Sequence, residues 1–232
     1  MLRKPIAIIC LLTIVSFATA SYAAPIVNGT TIGVDFGPTA ATNNFNVTGS
    51  GSNSGSIATG TLIDTSGVTV DVVGFEWTKP GGWSNNDSTG STDLSGQPAI
   101  FNDSNLTDWI GENSSAGNLK LTFTGLDDDA TYNLVIGSGF IANGTNVDTI
   151  WFVDGQSKET QHDDGALAYV YFNGLSTDGA GNLVIDSAPG AGNTSNITVV
   201  SALGLTAVII PEPSTIILAA LGLTGVCFRR PR

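Results

Sequence analysis

Asn118-Leu119-Lys120-Leu121-Thr122-Phe123-Thr124 places an apolar side chain at every second position, and a strand sends such a set to one face. Leu119, Leu121 and Phe123 therefore predict a half-buried strand with Lys120 and Thr122 turned to water. Outward from it, alternating or β-branched segments recur between Gly-, Asn- and Asp-rich stretches. The pattern predicts strands at Thr31–Phe36, Ser56–Ile63, Val68–Trp77, Asn118–Thr124, Thr131–Ser138, Thr149–Val153, Ala166–Phe172, Asn182–Asp186 and Ile197–Ala207. Gly67-Val68, Asp154-Gly155 and Asp178-Gly179 mark turns, because Gly takes positive φ without steric cost and Asp tolerates it. No interval carries apolar residues at helical spacing over three turns. Helix is expected only at the two ends, with room for one turn near Leu106–Ile110. The fold class is all-β: a two-sheet antiparallel β-sandwich of jelly-roll type, flanked by an N-terminal signal helix and a short C-terminal hydrophobic helix. Phe36, Phe75, Phe123, Tyr132, Phe152, Tyr169 and Phe172 lie in the strand segments and are available to fill its core.

The chain has 232 residues, with 8 Lys+Arg against 20 Asp+Glu for a net charge of −12, and only 12% of residues charged. That suits one domain with appendages and excludes a coiled coil or a charged disordered chain. Three lysines in the middle of the chain cannot neutralise a phosphate backbone, so nucleic acid is excluded as a partner.

Both ends read as addresses. Arg3 and Lys4 precede an apolar run from Ile6 to Phe17 and small residues to Ala24, the layout of a secretory signal peptide. Residues 1–23 are expected to leave after Ala23, and residues 24–209 form the β-sandwich domain. Residues 210–232 form a third part: Pro211-Glu212-Pro213, an uncharged apolar stretch Ile216 to Phe228, then Arg229, Arg230 and Arg232. Thirteen residues at about 1.5 Å each reach roughly 20 Å, short of a hydrocarbon core of about 30 Å. Such a segment with a basic stop suits transient retention, its arginines snorkelling on the cytoplasmic side.

This tail resembles the PEP-CTERM sorting signal of exported bacterial proteins, in all three parts and in their order. The resemblance implies processing near Pro211–Pro213 by an exosortase-type membrane transpeptidase. The protein would touch the inner membrane only through this tail, before delivery to the cell envelope or an extracellular exopolysaccharide matrix. Pro211, Glu212, Pro213, Arg229, Arg230 and Arg232 are then a substrate motif for another enzyme. Removing both ends removes Cys10 and Cys227, so the body has no disulfide and depends on its core. Without Glu212, 19 acids face Lys79, Lys120 and Lys158, a charge of −16. Such a surface is soluble and disfavours anionic polymers unless a divalent ion bridges them.

The body resembles a galactose-binding-like or malectin-like jelly roll. Gly33-Val34-Asp35-Phe36-Gly37, Leu126 with Tyr132-Asn133-Leu134, Phe152-Val153-Asp154-Gly155 and the last strand Val200-Ser201-Ala202-Leu203-Gly204-Leu205 carry the likeness. It implies that the first and last strands pair, and carbohydrate binding as a family tendency.

Few residues offer chemistry. His162 is the only histidine; among Gln161, Asp163 and Asp164 it reads as a solvated loop residue. One His and no Cys exclude zinc hydrolysis and thiol chemistry in the body, and no catalytic residue is nominated. The most suggestive stretch for binding is Glu76 to Asp87. Trp77 closes an apolar strand, whereas Trp83 follows a Pro-Gly-Gly turn among polar residues. There Trp83 offers a flat face to a sugar ring, with Asn85, Asn86 and Asp87 supplying directional bonds, or it folds over the sandwich rim. Trp109 is the second candidate and leans towards the core; Trp151 fits either side. Asp127, Asp128, Asp129, Asp163 and Asp164 read as turn acids, with one structural Ca²⁺ as the sharper alternative; no other cofactor is implied. The reading is a non-catalytic exported protein of envelope or matrix, structural or carbohydrate-binding. The alternatives are a secreted glycan-active enzyme using two carboxylates and a matrix protein without a ligand site.

Overall fold

The computed structural model describes residues 26–36, 44–48, 54–81, 83–85, 98–101, 109–113, 115, 117–138, 146–161 and 168–208. The described residues hold fourteen strands and no helix. In chain order they are β1 (Thr31–Asp35), β2 (Asn46–Val47), β3 (Ser54–Ile57), β4 (Gly74–Thr78), β5 (Trp83–Asn85), β6 (Trp109–Asn113) and β7 (Lys120–Thr124). There follow β8 (Thr131–Ser138), β9 (Thr149–Val153), β10 (Gln156–Thr160), β11 (Ala168–Leu175), β12 (Leu183–Pro189), β13 (Ile197–Val200) and β14 (Ala202–Val208).

They form a five-stranded sheet in the order β11-β8-β14-β1-β2, a six-stranded sheet β10-β9-β12-β7-β4-β3, and a small sheet β13-β6-β5. Every pairing is antiparallel except β1 with β2. β1 and β14 pair from Thr31↔Thr206 to Asp35↔Ala202, so the first and last strands of the described body lie side by side. β9 and β10 are joined by Asp154 and Gly155, with φ of 46° and 70°. Two consecutive positive φ values give the tight primed turn whose twist matches the strands it joins.

The core lies between the inner faces of the two large sheets. Ile32, Val34, Leu134, Ile136, Phe172, Leu203 and Leu205 enter it from the first sheet. Phe75, Leu121, Phe123, Trp151, Val153, Leu183 and Ile185 meet them from the second. Leu121 and Phe123 are fully buried between exposed or half-exposed neighbours, so the alternation at 118–124 carries through. Tyr132 is fully buried, and burial pushes its hydroxyl up to about 12. That hydroxyl accepts from the Asp127 amide at 2.8 Å and donates to the Asp127 carbonyl at 3.1 Å, closing the β7–β8 turn.

Several expectations need correcting. Phe152 is 45% exposed, because Trp151 and Val153 take the inward positions of β9 and alternation sends Phe152 out. Tyr169 sits half-buried on the outer face of the first sheet, opposite Gly137. Val68–Trp77 is not one strand. Asp64 N donates to Val68 O and Val70 N to Leu62 O, so residues 62–70 fold as a small hairpin, and β4 starts only at Gly74. Trp109 and Ile110 open a strand rather than end a helical turn. The third sheet was not foreseen. The terminal helices, and with them the sorting residues Pro211, Glu212, Pro213, Arg229, Arg230 and Arg232, lie outside the described residues. No helix among the described residues is long and apolar enough to cross a membrane.

Candidate functional site

Strand alternation leaves Asn133, Val135 and Gly137 of β8 on the outer face of the five-stranded sheet, since Tyr132, Leu134 and Ile136 point inward. Register carries this face across the sheet. Val135 lies opposite Tyr171 on β11 and Gly204 on β14, and Gly204 lies opposite Gly33 on β1. Two residues along, Asn133 faces Thr206, which faces Thr31, and Asn173 of β11 continues the row. One row is thus apolar with an aromatic end; the next is made of amides and hydroxyls.

A wall rises over the apolar row. The turn Pro98 to Phe101, closed by Phe101 N donating to Pro98 O at 2.9 Å, lays Ile100 over Gly204. Phe45 lies over Gly33 and meets Phe101 edge to face at 5.9 Å. A side chain at either glycine would displace this wall: a methyl on Gly204 would push the Ile100 tip aside, and one on Gly33 would come to 2.5 Å from the Phe45 ring. The same row ends on β11 in Tyr171, 46% exposed, which continues the wall and is braced edge to face by Tyr169 at 5.8 Å. Lys158 of β10 donates its ammonium to the Tyr171 carbonyl and lies 5.5 Å from the Phe172 ring centre, tying the two large sheets together behind this wall.

Alongside this wall lies a groove of about 750 Å³, lined by Thr31, Thr65, residues 98–101, Asn133, Leu134, Val135, Tyr171, Asn173, Gly204 and Thr206. Its volume is in the range of small-ligand sites. Thr31 and Thr206 share a hydrogen bond between their hydroxyls at 2.8 Å, and Asn133 Oδ1 accepts from Gly174 N at 3.1 Å. Burial and the neighbouring Tyr169 hold the Tyr171 hydroxyl above its ordinary value. Asn46 steadies the far side: its Nδ2 donates to Gly33 O and Ile63 O, each at 2.8 Å, and its Oδ1 accepts from Ile63 N at 2.8 Å. The sequence reading missed this groove. Its one signal was Ala168-Tyr169-Val170-Tyr171-Phe172, where period two puts both tyrosines on the face away from Phe172.

The residues singled out from sequence lie elsewhere. Trp83 and Asn85 belong to β5, the edge of the small sheet, where Trp83 pairs with Gly111 and Asn85 with Trp109. The Trp83 and Asn85 side chains, with Asn86, Asp87, His162, Asp163 and Asp164, lie outside the described residues. Trp109, read as leaning towards the core, is 4% exposed and packs with Val147, Ile197 and Val199.

The β7–β8 turn acids are engaged in local bonds. Asp127 Oδ1 accepts from Asp129 N at 3.0 Å, and Asp128 Oδ1 accepts from Gly181 N at 2.9 Å and from the Thr177 hydroxyl. Among the described residues no three His, Cys, Asp or Glu side chains gather as a metal site. Two charged side chains, Lys79 before β5 and Glu112 on β6, are buried. Glu112 is 0% exposed and Lys79 1% exposed, and the two attract each other. Burial raises the Glu112 carboxyl and lowers the Lys79 ammonium relative to their ordinary values. Glu112 Oε1 accepts from Gly81 N at 2.7 Å, fixing the Lys79-Pro80-Gly81 approach to β5.

Residues 210–231 match the PEP-CTERM protein-sorting motif. That match marks the chain as one sorted for export through the membrane, where an exosortase processes such motifs. No curated protein matches the chain in sequence. Among solved structures, the body is similar to the extracellular domain of ANXUR2 from Arabidopsis thaliana, at 10% identity and a TM-score of 0.44, covering 62% of this chain and 52% of that one. It is also similar to a CBM35 module from Cellvibrio japonicus, at 15% identity and a TM-score of 0.34, covering 56% and 86%. A family 35 carbohydrate-binding module from Clostridium thermocellum shows 13% identity and a TM-score of 0.30, covering 54% and 87%. The chain spans about half the length of the ANXUR2 ectodomain it matches.

Proposed function

We propose that this is a non-catalytic exported protein of the cell envelope or exopolysaccharide matrix, and that its 24–209 body binds carbohydrate in the groove on the five-stranded sheet. The observation that carries the reading is the pairing of Tyr171 with the row Asn173, Asn133, Thr206 and Thr31 in one groove. A sugar ring has an apolar face and a hydroxylated rim. An aromatic wall suits the first, and amides and hydroxyls that both donate and accept suit the second. Binding rather than hydrolysis is favoured because the described lining holds no carboxylate, and glycoside hydrolysis ordinarily needs two.

Release of the tail by an exosortase-type enzyme would leave the domain in the compartment where exopolysaccharide accumulates. The test is retention of the producing cell's exopolysaccharide by the immobilised protein. Wild type should retain it and Tyr171→Ala should lose most of the binding while keeping its melting temperature. Equal retention by both proteins, or by neither, contradicts the assignment.

A further inference from the structure

We propose that the ligand is an uncharged saccharide chain lying across the strands, an inference that rests on the carbohydrate reading of this groove and narrows it. Among the described lining residues there is no acid, no base and no histidine. That neutrality stands out on a body carrying 19 acids and three lysines. Asp35, two residues beyond Gly33 on the same face, is 0% exposed and does not line the groove. Lys158 donates from its ammonium to the Tyr171 carbonyl and does not line the groove. A polyuronate or sulfated chain would meet a repulsive body and find no cation in the lining; a cationic ligand would find no carboxylate. Hydroxyls of a neutral sugar meet partners of their own kind.

Orientation follows from the rows. The polar row crosses β11, β8, β14 and β1, three steps of about 4.8 Å, or roughly 14 Å, the length of a short oligosaccharide. The apolar row runs parallel to it two residues along the strands, about 7 Å away. A chain laid along the rows would have hydroxyls on one flank and Tyr171 and Ile100 on the other.

The full chain, purified in detergent, is titrated calorimetrically with soluble neutral glucan, galactan and mannan, and with alginate and polygalacturonate, at low and high salt and with EDTA. At least one neutral polymer should bind with a Kd unchanged by salt or chelator, and the acidic polymers should not bind. Tyr171→Ala and Thr206→Val should each weaken that binding, the first by roughly tenfold. Binding of acidic polymers alone, or binding that falls with salt or disappears with EDTA, overturns the uncharged-ligand inference while carbohydrate binding stands. Silence towards every polymer, with the protein folded, overturns both.

Discussion

Gly33 and Gly204 set the depth of the groove, because their missing side chains are what let Phe45 and Ile100 lie flat on the sheet. Gly33→Ala would push a methyl into the Phe45 ring and lift the Pro98–Phe101 wall with it. Overpacking of this kind costs about 1–3 kcal/mol, and urea denaturation should show that loss together with weakened glycan binding. Charge at single residues gives a pH dependence of known sign. Asp178 is exposed, and its carboxylate accepts from Asn182 Nδ2, Ala180 N and Asn182 N, which together lower its pKa below the ordinary 3.8. A group lowered on folding stabilises above that value and loses its contribution as pH falls through the folded pKa. Thermal melts at about pH 5 and about pH 2 should therefore show a smaller drop for Asp178→Ala than for wild type. Asp64 works in the same direction: burial pulls its pKa up, but bonds from Ser66, Val68 and Gly67 outweigh it. Sequence legibility was uneven at this scale. Trp83 drew attention because a Trp after Pro-Gly-Gly is conspicuous, whereas Tyr171 was hidden in an apolar run whose alternate residues fill the core.

Elements whose two faces differ were the legible ones. Thr131–Ser138 and Thr149–Val153 fall on β8 and β9 residue for residue, because both are flanked on each side and show a continuous buried face. β10 was missed because it is a sheet edge, and Gln156-Ser157-Lys158-Glu159-Thr160 has no apolar face to read. β5 and β6 were missed because the small sheet is defined by pairing between distant segments, Trp83↔Gly111 among them, rather than by local alternation. Glu112 and Lys79 belong to this scale, since Glu112 holds Gly81 N at the entry to β5 and the two buried charges act on each other. Removing one partner strands a buried charge, so Lys79→Met and Glu112→Gln should each cost about 3 kcal/mol, and the double variant less than their sum. A double-mutant cycle by chemical denaturation checks this, and strict additivity would remove the pair's role. The burial that raises Glu112 also sets a sign. Its contribution favours folding below the ordinary glutamate value and is lost as pH rises through its folded pKa, the reverse of Asp178.

At the scale of the whole molecule, the pairing of β1 with β14 brings Thr31 beside Thr206, at the end of the sheet from which the chain runs on to the sorting motif at 210–231. The polar row of the groove lies at that same end. Export was legible in the ordered motifs at the two ends, and a cysteine-free body and a strong negative charge were legible because they are sums over many residues. The groove was not, because it exists only where β11, β8, β14 and β1 are laid side by side in register.

The central claim is that this face, and not the Trp83 segment, meets the glycan. Amide chemical-shift mapping of the isotope-labelled protein, titrated with short oligosaccharides from the producing cell's exopolysaccharide, tests it most directly. Shifts should cluster at Asn133, Val135, Tyr171, Asn173 and Thr206; saturable shifts confined to Trp83, Asn85, Asn86 and Asp87 would contradict it.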